Sequence, residues 1–86
     1  MMTQINKLIE KILSGQSDKN INFNDIRNFL SALGFEERIR GSHHLYRKEG
    51  IQEKVNLQKD GNKAKAYQIK QIRNLILKYK LGKDDV

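Results

Sequence analysis

The 86-residue sequence predicts an α+β fold in which helices cover one face of a three-stranded antiparallel sheet. Three observations support this prediction. Apolar residues recur at helical spacing near both ends of the chain, they alternate at strand spacing in the middle, and glycine-containing turns separate the strands. Strands this close in sequence leave no room for a parallel crossover, so they form a meander with one covered face and one open face.

Two amphipathic helices are predicted before the strands. The first covers residues 3–13 and has its apolar side chains on one face, at Ile5, Leu8, Ile9, Ile12 and Leu13. The second takes Asn24 or Asp25 as its N-cap and ends at Gly34, a residue that adopts the left-handed conformation easily. Both helices can therefore bury an apolar stripe against the sheet.

Three strands and a closing helix follow. The strands are predicted at residues 37–40, 43–47 and 54–58, with turns at Gly41-Ser42 and at 48–50. Val55 and Leu57 alternate with polar residues, so they share the covered face. The last helix ends at Gly82 and has an apolar stripe formed by Ile69, Ile72, Leu75, Ile76 and Tyr79.

The charge of the chain favours a polyanionic partner. The net charge is +7, and residues 34–86 account for +6 of it, with 13 positive and 7 negative side chains. Basic and apolar residues interleave there, which is typical of one charged face of a folded element rather than a disordered arm. Nucleic acid is the first expectation and an anionic membrane surface the second.

Composition also excludes several classes of protein. The chain has no cysteine, so it has neither disulfides nor thiolate metal sites. No apolar run approaches the roughly 18 residues of a membrane span, and no signal peptide follows Met1. We therefore expect a cytoplasmic protein and, of the two polyanionic partners, nucleic acid rather than a membrane.

The two histidines are adjacent, and they are predicted to face opposite sides of the second strand. Tyr46 shares a face with His44, whereas Leu45 and Arg47 share a face with His43. Tyr46 is expected to be the buried residue because Arg47 prefers water, which places His43 on the open face. Burial of Leu45 instead would reverse the assignment.

An exposed histidine among cations has the groups that RNA cleavage needs. The 2′-hydroxyl must lose a proton or the leaving 5′-oxygen must gain one, and positive charge must lie near the phosphate. The alternative is a surface histidine that binds nothing. A metal site is disfavoured because adjacent strand histidines diverge, and Ser42 is a poor nucleophile because no Gly-x-Ser-x-Gly elbow surrounds it.

The segment around Gly41-Ser42-His43-His44 resembles the HicA family of bacterial toxins, the mRNA-cleaving half of a type II toxin–antitoxin pair. The resemblance covers about two-thirds of the chain. It consists of the helix end Leu33-Gly34-Phe35, the segment Arg40-Gly41-Ser42-His43-His44-Leu45-Tyr46-Arg47, the strand Val55-Asn56-Leu57, and the closing helix from Gln68 to Leu81. Many members have Pro and His after the third strand, where this chain has Gln58-Lys59-Asp60.

The resemblance implies an α-β-β-β-α fold like that of a double-stranded-RNA-binding domain, here with an extra N-terminal helix. Residues 1–22 would be a helical extension that packs on the core, mediates pairing or frays; residues 23–82 the HicA-like domain; and 83–86 a disordered tail. It implies mRNA cleavage without metal or cofactor, and a HicB-type antitoxin as partner. His43, directly after Gly-Ser, would be catalytic, with His44 as second choice.

The residues expected to contact RNA are Arg38, Arg40, Gly41, Ser42, Arg47, Lys54, Lys63 and Lys65. Two other hypotheses remain open. The chain could be a non-catalytic double-stranded-RNA-binding module, which would use the same basic surface without needing a histidine. It could also be an interaction protein that works through its N-terminal helix. The sequence leaves the oligomeric state undecided.

Overall fold

The computed structural model describes residues 4–82, so the expected tail at 83–86 lies outside the described residues. The predicted α+β class is confirmed, with three helices and a three-stranded antiparallel sheet. The elements are α1 (Gln4–Ser14), a 3-10 turn (Asp18–Asn20), α2 (Phe23–Ala32), β1 (Glu36–Arg40), β2 (His43–Arg47), β3 (Val55–Leu57), β4 (Lys59–Asp60), β5 (Lys63–Ala64) and α3 (Ala66–Tyr79).

The sheet is the predicted meander, with strand order β1-β2-β3 and antiparallel pairing throughout. Arg40 lies opposite His43 and Leu45 lies opposite Asn56. The side chains of Tyr46, Val55 and Leu57 are fully buried, so they define the covered face. The expectation that Tyr46 points inward is confirmed.

The helices cover one face of the sheet and enclose the core. Helix α2 contacts the sheet through Phe23, α3 contacts β3, and α1 packs on both α2 and α3. Ile12 of α1 is fully buried, and Ile5 and Ile9 pack against the same core. Burial of one such aliphatic side chain contributes about 1.5–3 kcal/mol. Helix α1 therefore packs on the core, which is one of the three roles left open for it.

Helix α2 begins earlier than predicted. Its N-cap is Asn22, whose side-chain oxygen accepts hydrogen bonds from the backbone N–H groups of Asn24 (2.9 Å) and Asp25 (3.1 Å). The prediction of Asn24 or Asp25 as the cap is wrong. Phe23 is the first helical residue and only 1% exposed, so the buried ring fixes the start of the helix upstream of both predicted caps.

A short hairpin, β4–β5, lies between β3 and α3, where the sequence predicted no strand. Its two strands are joined at Gly61, which has φ of 65°, and at Asn62. The backbone N–H of Ala64 donates to the carbonyl of Ile21, and that of Phe23 donates to the carbonyl of Asn62, both at 2.9 Å. The hairpin is therefore held against the segment that leads into α2.

Helix α3 also ends earlier than predicted. Lys80, with φ of 55°, takes the left-handed position that ends the helix, two residues before the predicted end at Gly82. Gly82 has another role, because a Cβ atom there would lie 2.6 Å from Cδ1 of Ile9. The missing side chain lets the end of the described chain lie against α1. No helix in the span 4–82 is long and apolar enough to cross a membrane.

Candidate nucleic-acid interface

The face of the sheet opposite the helices is exposed, and we call it the open face. Alternation along each strand determines which side chains it carries. They are Glu36, Arg38 and Arg40 from β1, His43, Leu45 and Arg47 from β2, and Lys54, Asn56 and Gln58 in and beside β3. The prediction that His43 lies on the open face is confirmed.

Four cations on the open face have no protein partner within the described part of the chain. The side chains of Arg38, Arg40, Arg47 and Lys54 are exposed, and within residues 4–82 none of them makes an ion pair or a hydrogen bond. Glu36 is the acidic residue of this face. Unpaired guanidinium and ammonium groups on the same face as a histidine are available to an anionic ligand such as a phosphate.

The turn between β1 and β2 positions His43 at the start of β2. Gly41 has φ of 57°, a left-handed conformation that glycine adopts without strain, and Ser42 is exposed beside it. This tight turn brings Arg40 directly opposite His43. Gly41 and Ser42 therefore lie at the edge of the open face, where the sequence placed them.

The exposed ring of His43 contacts two amide side chains. Its Nδ1 is 3.3 Å from Oδ1 of Asn56, and its Nε2 is 3.3 Å from the amide nitrogen of Gln58. The ammonium of Lys65 donates to Oε1 of Gln58 at 3.2 Å. These four side chains form one continuous hydrogen-bonded chain across β2, β3 and the start of α3.

Two lysines that follow β3, Lys63 and Lys65, were both expected to bind RNA, but they lie apart in the structure. Lys65 joins the His43 chain through Gln58. Lys63 instead donates to the side-chain oxygen of Asn20 in the 3-10 turn. The structure therefore brings Lys65 together with His43 and does not bring Lys63 there.

His44 points to the covered face. Its side chain is 14% exposed and its Nδ1 lies 3.2 Å from Oε2 of Glu37. The centroid of its ring is 4.9 Å from that of Phe23, and the two rings are nearly perpendicular. The second-choice catalytic residue thus belongs to the packing between the sheet and α2. It does not share the open face with the free cations.

Glu37 is the centre of that packing. Arg27 of α2 donates to both its oxygens at 2.8 and 2.9 Å, and the hydroxyl of Tyr46 donates to Oε2 as well. The hydrogen bonds from Arg27, aided by those from Tyr46 and His44, lower the pKa of Glu37 to about 2 against the opposing effect of burial. Burial and the bond to Glu37 raise the pKa of Tyr46.

Sequence reasoning missed Asn56 and Gln58. The alternation over 54–58 already placed Asn56 on the face opposite Val55 and Leu57. The missing information was the strand register, which sets Leu45 opposite Asn56 and so brings that amide close to His43. The same alternation placed Gln58 on this face, and the register that sets His44 opposite Leu57 brings its amide to His43.

The geometry defines a small α+β protein whose open sheet face carries four cations and one exposed histidine, with Arg40 directly opposite that histidine. Such a site can bind phosphate groups and transfer a proton. Among residues 4–82, no group of three or more histidine, aspartate and glutamate side chains is placed to hold a metal ion. Comparison of the chain with models of protein families, with curated proteins and with solved structures finds no match.

Proposed function

We propose that this protein is an endoribonuclease toxin of the HicA type that binds and cleaves mRNA in the cytoplasm. In this proposal, α2, β1–β3 and α3 form a domain like those that bind double-stranded RNA, over residues 23–82. The observation that carries the proposal is the exposed His43 on the same face of the sheet as four cations that have no protein partner within the described chain. A binding surface needs the cations, whereas cutting RNA also needs a group that accepts a proton.

In the proposed reaction, His43 acts as a general base. Nε2 takes the proton of a 2′-hydroxyl, and the 2′-oxygen forms a bond to the adjacent phosphorus while the bond from phosphorus to the 5′-oxygen breaks. The departing 5′-oxygen takes a proton from water, and the imidazolium returns its proton to the resulting hydroxide. Arg40, opposite His43, and Arg38 hold the phosphate as negative charge builds on its oxygens.

A HicB-type antitoxin is the proposed protein partner. The open face supplies both the cations and His43, so a protein that covers it blocks RNA binding and proton transfer together. Charge complementarity predicts that the covering surface is acidic. Such a complex leaves the covered face and the helices of the toxin undisturbed.

Cleavage of an mRNA transcript tests the proposed activity. We expect the wild-type protein to shorten the RNA, and His43→Ala and His43→Gln to cut about 10²–10⁴ times more slowly, the usual contribution of a general base. His43→Gln keeps a polar side chain at the site, so it separates loss of the base from loss of packing. Both variants are expected to retain wild-type circular dichroism and to shift RNA in a gel. Undiminished cleavage by either variant contradicts the proposal.

The second candidate function is a non-catalytic RNA-binding module. The observation in its favour is that both ring nitrogens of His43 already contact amide groups, as in a side chain that only shapes a surface. In that case the wild-type protein shifts RNA in a gel with steep salt dependence and leaves its length unchanged at every protein concentration.

A further inference from the structure

The hydrogen-bonded chain through His43 has a defined direction. It runs from the ammonium of Lys65 to Oε1 of Gln58, from the amide of Gln58 to Nε2 of His43, and from Nδ1 of His43 to Oδ1 of Asn56. The three distances are 3.2, 3.3 and 3.3 Å, at the long end of the range for hydrogen bonds.

The direction follows from the first donor. An ammonium group has protons and no acceptor, so Lys65 must face the oxygen of Gln58. The amide NH₂ group of Gln58 then faces His43, and NH₂ only donates. Nε2 of the neutral ring must therefore be the bare nitrogen, and Nδ1 carries the proton that Asn56 accepts. If the amide of Gln58 were turned around, its NH₂ group would face the ammonium of Lys65, and both of these groups can only donate.

Rigid elements hold each member of this chain. The backbone N–H of Gln58 donates at 3.0 Å to Oε1 of Gln68, a side chain of α3 that is only 2% exposed. Lys65 is the residue directly before α3, and its carbonyl accepts hydrogen bonds from the first turn of that helix. Asn56 lies inside β3. Contacts with α3 and with β3 therefore fix the orientation of the His43 ring.

We propose that Gln58 and Lys65 are positioning residues that keep neutral His43 in the Nδ1–H tautomer, with Nε2 ready to accept a proton. This inference rests on the proposed function, in which Nε2 takes the proton of the RNA 2′-hydroxyl. Without RNA, the amide of Gln58 occupies the place of that hydroxyl. When RNA binds, the hydroxyl displaces the amide, which is then free to donate to an oxygen of the adjacent phosphate.

Nitrogen NMR of the His43 ring tests the tautomer without RNA. Under conditions in which the ring is neutral, ¹⁵N-labelled wild-type protein is expected to show the Nδ1–H form alone. Lys65→Met removes the donor that orients Gln58, so signals of both tautomers are expected. Lys65→Arg supplies another group that only donates and should restore the single form. Lys70→Met, at an exposed position of α3, removes the same charge and should leave the ring signals unchanged.

Gln58→Glu supplies the opposite test. A carboxylate accepts from both neighbours, so Nε2 of His43 is expected to become a donor and the Nε2–H form to dominate. Cleavage should then fall in Gln58→Glu and in Lys65→Met, by less than the loss on removing the ring. The Nε2–H form in the wild-type protein, or a wild-type spectrum in Lys65→Met, overturns the inference whether or not RNA is cut. A single Nδ1–H form with uncut RNA overturns the proposed function and leaves the positioning intact.

Discussion

The two adjacent histidines differ only in the direction that strand alternation gives them. His43 contacts amides and solvent on the open face, whereas His44 lies between Glu37 and the ring of Phe23. The same side chain is therefore available for proton transfer at one position and takes part in packing at the next. Glu37 shows the same contrast with its neighbour Glu36, which is exposed on the open face.

The Glu37 carboxylate should make stability depend on pH below 4.5. Its pKa falls from the ordinary 4.5 to about 2 in the folded protein, so its contribution is complete above pH 4.5 and disappears as pH falls through about 2. Removing its charge with Glu37→Gln should cost about 2 kcal/mol at neutral pH, the scale of hydrogen bonds to charged groups. Urea unfolding of both proteins between pH 2 and pH 7 measures the difference, which should shrink at acid pH.

Glu36→Gln is the matched control. It removes the same charge one residue away, at an exposed side chain that makes no hydrogen bond within the described chain. Its cost should be within about 0.5 kcal/mol, as for most surface substitutions. If the loss of stability in Glu37→Gln did not change with pH, the contacts of Arg27, Tyr46 and His44 would not depend on the charge of this carboxylate.

At the scale of elements, helix starts and short hairpins depend on packing as much as on local signals. Three polar residues that can cap a helix precede or begin α2, at Asn22, Asn24 and Asp25. The buried ring of Phe23 decides among them, because a helix that started later would not carry that ring into the core. The hairpin β4–β5 has the same origin, since it is held by bonds to the backbone at Ile21 and Phe23.

The N-cap assignment predicts opposite results at two nearby asparagines. Asn22→Ala removes the acceptor for two backbone N–H groups and should cost about 1 kcal/mol of stability. Asn24→Ala removes an exposed side chain in the first turn and should cost less than about 0.5 kcal/mol. Thermal unfolding of both variants measures the two costs. A larger loss from Asn24→Ala would place the helix start where the sequence pattern alone puts it.

The sequence predicts well the helices that have periodic apolar residues, and poorly the short strands that consist of polar residues. The apolar stripes around Ile12 and Ile72 locate α1 and α3 within a few residues, because burial imposes the helical period. The hairpin at Lys59–Ala64 has no alternating apolar residues, so local pattern does not indicate it. For the site, alternation predicts the direction of His43. It does not reveal the contact with Lys65, which depends on how α3 packs beside β3.

At the scale of the whole molecule, charge and burial divide the two faces of the sheet. The covered face carries the core and the ionic contacts of Glu37, whereas the open face carries four cations without partners in the described chain. Part of the +7 excess therefore lies where no helix covers the sheet. RNA binding on this face should be driven by release of counterions and should weaken as salt rises.

The salt dependence of binding locates the RNA on the protein. A variant that neutralises one phosphate of single-stranded RNA fewer should bind with a weaker salt dependence. The slope of the logarithm of the binding constant against the logarithm of salt concentration should become shallower by about 0.7. Arg47→Gln on the open face is expected to show this change. Lys7→Gln on α1, which packs on the helices away from the sheet, removes the same charge and should leave the slope unchanged. Equal slopes for all three proteins would place the RNA elsewhere.

The chemical ends of the cut RNA show whether His43 activates the 2′-hydroxyl. Mass spectrometry of the fragments should show a 2′,3′-cyclic phosphate on one side of each cut and a 5′-hydroxyl on the other. An RNA with 2′-deoxy sugars at the cut positions should stay intact. His43→Ala should produce these ends about 10²–10⁴ times more slowly. Fragments that carry a 3′-hydroxyl and a 5′-phosphate, or cutting of the 2′-deoxy substrate, would contradict this account.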